Sequence, residues 1–166
     1  LELSAGINPP KITIPLDLAS LSRLTSLSVI SLTPQFVSLP SSLVQLSICL
    51  NEDTDLSHLS HFSQLISLKV QTPEDVSFRV QVPTQVQSLV LFGPFPKDFD
   101  VRNVALKTFI FPHPLTRDQI LMLPTTLEDL NIPIIDELTQ TTIHQNFPLL
   151  KEHPTQSPTH GVVAFG

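Results

Sequence analysis

The chain has 166 residues, with 16 Pro against 4 Gly, 10 Phe and no Trp or Tyr, and only 14% charged residues at a formal charge of −6. A hydrophobic content of 41% over that length fits one domain with a full core, and excludes both disorder and an assembly of long, charge-laced helices. The 9 Lys and Arg are scattered singly from Lys11 to Lys151, so no basic stripe neutralises successive phosphates and nucleic acid is excluded as the expected partner.

Cys49 is the sole cysteine, which rules out an intrachain disulfide and any multi-cysteine metal site. No Asn-x-Ser/Thr sequon occurs, and the two absences point to a reducing, intracellular and cytoplasmic setting. No apolar run approaches the roughly 18–20 residues of a membrane span. Leu1 opens no signal peptide and suggests an internal fragment or a processed chain.

In chain order, "PPKITIPL" with Ile12 and Ile14 reads as a degenerate first unit, and "DLASLSRL" at 17–24 carries helical spacing with Asp17 as its cap. Six apolar triplets then follow: Leu24-Leu27-Val29, Leu43-Leu46-Ile48, Leu65-Leu68-Val70, Val86-Leu89-Leu91, Leu106-Phe109-Phe111 and Leu127-Leu130-Ile132. Their middle members are 19, 22, 21, 20 and 21 residues apart. The end of each triplet alternates with period two, which predicts a short strand with one buried face. A unit of this length cannot bury its own apolar face and must stack on copies of itself.

Matching lead-ins, "LPSSL" at 39–43, "VPTQV" at 82–86 and "LPTTL" at 123–127, place a proline where any preceding helix must stop. After each strand a second apolar anchor recurs at Phe36, Leu56, Phe78, Phe99, Ile120 and Leu138, predicting a spine on the outer limb. Pro34, Pro73, Pro94 and Pro114 between strand and spine favour extended connections. Helix is expected as a minor component, with "LTRDQILML" at 115–123 and its cap Thr116 the only other candidate. "FPLLKEHP" at 147–154 reads as a degenerate last unit, giving a repeat domain over 1–153. The tail at 154–166 either folds over the last coil or is simply a terminus.

The pattern resembles the leucine-rich repeat family, with its leucines at L-x-x-L-x-L, over roughly residues 10–152. The short period and proline lead-ins are similar to the compact repeats of some bacterial effectors and protist proteins. The asparagine that the family places after the last leucine is matched only by Asn51. This resemblance implies an α/β-type repeat solenoid, a horseshoe with a parallel sheet on its concave face and mostly extended or 3-10 convex segments.

Catalytic and metal chemistry find little purchase. His58 and His61 lack a third ligand, and "NEDTD" at 51–55 lacks the order of a Ca²⁺ loop. There is no G-x-S-x-G elbow and no glycine-rich phosphate cradle, and nothing marks a histidine as partner to Cys49. The expectation is a non-enzyme without cofactor or metal. Stacking the strands lays out their outward residues as a grid. Val90, Phe92, Ile110 and Pro112 form an apolar patch in it, framed by Lys69, Thr108 and Asn131. These seven residues are the candidate partner-binding site of a protein-recognition or scaffold module. A regulatory or targeting domain of a larger enzyme, or an adhesive surface repeat, are the alternatives.

Overall fold

The computed structural model describes residues 2–3, 16–30, 37–134 and 136–151. Expectations that fall on Ile12, Ile14, Pro34, Phe36 and the 154–166 tail lie outside the described residues. The described chain winds into a solenoid-like arrangement of about five turns with little helix.

One parallel sheet carries it. In spatial order its strands are β1 (Glu2–Leu3), β3 (Ser26–Ile30), β5 (Gln45–Cys49), β7 (Ser67–Gln71), β9 (Ser88–Phe92), β10 (Thr108–Ile110) and β11 (Asp129–Asn131). The triplets stack without a slip: Leu27, Leu46, Leu68, Leu89, Phe109 and Leu130 are successive register partners. Their inward positions form one core, with Leu43, Leu65, Leu68, Val86, Leu89 and Phe109 all at 0% exposure. Phe95, Phe99, Phe109 and Phe111 fill it beneath β9 and β10, with edge-on contacts at 5.0 and 5.6 Å and stacked ones at 6.3 Å.

The outer limb has short ladders of its own: β2 (Leu16–Asp17) with β4 (Val37–Ser38), and β6 (Thr54–Leu56) with β8 (Phe78–Val80), the latter followed by a bridge from Arg79 to Lys97. The spine expected there is in place at Leu56, Phe78, Phe99 and Ile120, all buried. Leu138 is not part of it. It is 66% exposed on α2 (Glu137–Asn146), whose buried side chains are Thr139, Thr142 and Ile143. The 17–24 helix is also corrected: that segment makes turns, because the Asp17 carboxylate accepts from the Ala19 N–H two residues on and the Leu18 N–H bonds the Ser38 carbonyl of the next coil. Within 115–123, only Arg117–Ile120 (α1) is helical. Thr116 caps it, with a reciprocal bond between the Gln119 side chain and the Thr116 N–H.

Coils are clamped at one recurring point. The carbonyls of Thr25, Val44, Ile66, Gln87 and Lys107 each accept two N–H groups from the next coil, at 2.8–3.1 Å. The lead-ins add a second lock, since the Ser42 and Thr126 hydroxyls donate to the Leu24 and Leu106 carbonyls at 2.8 Å and the Gln85 amide donates to the Phe62 carbonyl. Side chains in the turn before each of these strands thus bond the preceding coil.

Candidate functional site

The site is built by register. Lys69 on β7 pairs with Val90 on β9, Val90 with Ile110 on β10, and Ile110 with Asn131 on β11, so four of the seven candidate residues form one row across four strands. Thr108 sits in the parallel row that joins Ser88 to Asp129, and Phe92 in the row beside Gln71. Pro112 lies beyond the last laddered residue of β10. It is exposed, and the preceding N–H, of Phe111, bonds the Asn131 carbonyl at 3.0 Å.

Alternation sets the exposure. Leu89, Leu91 and Phe109 are buried, while Lys69, Val90, Phe92, Thr108 and Ile110 are half-buried and Asn131 is exposed. Neighbouring outward side chains cover part of each other, so the apolar patch is a shallow, close-packed surface. Lys69 supplies the main contact within it: its Nζ stands 5.3 Å from the Phe92 ring centroid, within cation–π range. Sequence reading placed the two on the same face but missed this pairing, which is diagonal across neighbouring strands.

Gly93 fixes where Phe92 ends its strand. Its φ is +119°, and a Cβ there would fall 2.1 Å from Thr72 Oγ1 and 2.6 Å from the Thr72 carbonyl oxygen. With glycine in place, the Thr72 N–H reaches the Phe92 carbonyl at 2.8 Å. At the C-terminal flank, Glu128 pairs with Lys107 at 3.2 Å and with Lys151 at 3.4 Å, and hydrogen bonding from Lys107 holds its carboxyl below the usual range.

The "NEDTD" acids tie loops together: Asp53 accepts the Ser77 N–H at 2.8 Å, which lowers its pKa, and the pKa of Asp55 is lowered first by a hydrogen bond from the Ser57 side chain and next by the Ser57 N–H, at 2.8 Å. His58 and His61 lie exposed on a 3-10 turn, Ser57–His61. Cys49 is half-buried at the outward end of β5. No group of three or more His, Cys, Asp or Glu is placed to hold a metal among the described residues, and no described helix is long and apolar enough to cross a membrane. An open groove of about 330 Å³ lies between α1 and the start of α2, lined by Leu115, Thr116, Arg117, Asp136, Leu138 and Thr139 among others. Sequence reading missed it along with α2.

Comparison with family models, with curated proteins and with solved structures returns no match to this chain.

Proposed function

We propose that this chain is a solenoid of the leucine-rich repeat type that binds a protein partner through its outward strand face, taken as the concave side of a horseshoe, and that it performs no catalysis. The observation that carries this reading is the row Lys69, Val90, Ile110 and Asn131, which sets two aliphatic side chains next to each other on consecutive strands. Phe92 and its ammonium neighbour adjoin that row. Apolar side chains on a rigid sheet bind with little ordering cost, and an aromatic near the patch centre carries a large share of the affinity.

Quantitative capture of partners by the intact chain and by Phe92→Ala tests it. Phe92→Ala is expected to weaken capture by about 2 kcal/mol, roughly thirtyfold. Its inward neighbour Leu91→Ala, used as the control, acts on the melting temperature instead. Undiminished capture by a folded Phe92→Ala chain would place the binding surface elsewhere.

A further inference from the structure

Building on the protein-binding reading above, we infer that the partner presents an extended segment with a carboxylate and an aliphatic or aromatic side chain two residues apart, the carboxylate seated on Lys69 and the apolar group between Val90 and Ile110. The charge pattern of the face supports this. The chain holds 15 Asp and Glu, yet the outward positions of β5, β7, β9 and β10 carry Ser, Thr, Gln, Cys and apolar side chains, one ammonium at Lys69, and no carboxylate. Among the described residues the acids of this sheet stand on its edge strands, Glu2 on β1 and Asp129 on β11, and the others lie outside it.

Lys69 makes no ion pair among the described residues, and its ammonium is already held over the Phe92 ring at 5.3 Å. A positioned cation lacking an anion loses little side-chain freedom when it gains one.

Spacing sets the motif. Adjacent strands lie about 4.8 Å apart, so Val90 and Ile110 stand roughly 5 and 10 Å from the Lys69 position along the row. Side chains on one face of an extended peptide recur every ~6.7 Å, which brings the second such residue to the seam between Val90 and Ile110.

A random peptide library displayed on phage and panned against the whole chain tests the inference. Enriched sequences should carry Asp or Glu two places from an apolar residue. A synthetic peptide of that sequence should lose about tenfold in affinity when its acid becomes the amide, the acid peptide should lose about tenfold on Lys69→Gln, and the two changes together should cost little more than either alone. Lys69→Glu should reverse the preference toward basic peptides. Lys69→Met, which keeps the stem over Phe92 without the charge, serves should Lys69→Gln melt early. Peptides that lose binding with Val90→Ser/Ile110→Ser but ignore both Lys69 substitutions and the loss of their own acid would overturn the acidic motif and leave the binding face standing. Peptides indifferent to Val90→Ser/Ile110→Ser, or no enrichment above that double variant, would overturn both.

Discussion

The middle coils and the last coil use the same triplet to different effect. Strands β7 and β9 each run five residues, with a coil on either side, and Leu68, Val70, Leu89 and Leu91 are at 0% exposure. Strand β11 runs three residues with only β10 beside it, and its corresponding Leu130 and Ile132 are half-buried. Leucine in the right position is therefore not enough for burial. A coil's core is closed by the coil that follows, and beyond β11 the described residues offer α2 and one further ladder bond, from the Lys151 N–H to the Glu128 carbonyl. The outward surface proposed to bind a partner is best supported where stacking is two-sided, which is where Val90 and Phe92 sit.

The contrast is sharpest at equivalent positions. Leu89→Ala should cost roughly 2–5 kcal/mol through lost burial and a cavity that neighbours on both sides cannot fill. Leu130→Ala should cost about half as much, since part of that side chain already meets solvent. Equal losses in a denaturant titration would mean the last coil is as tightly closed as the middle ones.

A backbone change can break the middle coils without touching the core. Gly93→Ala forces a side chain into a left-handed φ against Thr72, and should cost more than about 2 kcal/mol, strain and overpacking adding together. Thermal melting of that variant beside Ala105→Gly, at an exposed position, isolates the effect; a shift no larger than that of Ala105→Gly would refute the close approach.

A smaller effect arises from acid. Asp100 is pulled down to about 2, chiefly by the Arg102 side-chain hydrogen bond and next by the Arg102 N–H; Asp136, the N-cap of α2, is lowered by the Thr139 N–H at 2.6 Å. A carboxyl with a depressed folded pKa adds stability above its unfolded pKa, near 3.8 here, and loses it as pH falls through the folded value. Stability should thus be level from pH 7 to about 5 and decline between about 4 and 2. These groups are exposed and solvent-screened, so the decline is modest. Asp136→Asn should flatten part of it, with loss confined to α2 by hydrogen exchange. At the bottom of the scale, Ser67→Ala, on the outward face of β7, should stay within about 0.5 kcal/mol of the parent in the same titration.

Much of this architecture can be read from residue type alone. The triplets declare strand position and register because apolar side chains at a fixed step have only one way to share a core, and Lys69, Val90, Ile110 and Asn131 fall into line as a consequence. Short polar elements escape that logic. "ELTQTTIHQN" forms α2 with Thr139 and Thr142 facing in, their side-chain and backbone demands met locally, as by the Thr142 hydroxyl on the Leu138 carbonyl. Ile143 is the one apolar residue on its buried side, so Leu138 misleads. "TDL" and "FRV" are too short to show a period, although Phe78 and Val80 flanking exposed Arg79 carry a trace of one. The lock made by Ser42, Gln85 and Thr126 was visible as a repeated spelling in the lead-ins. Its purpose, tying each coil to the one before, needs the coordinates.

The doubly bonded carbonyls at Thr25, Val44, Ile66, Gln87 and Lys107 also determine how the molecule yields to tension. Each clamp joins residues about one repeat apart, and strand pairing runs between successive coils among the described residues. A load applied to the ends meets these fastenings one after another, like stitches in a seam. Each coil set free pays out about 70 Å of slack, roughly 21 residues at ~3.4 Å, while the coils further in remain shut.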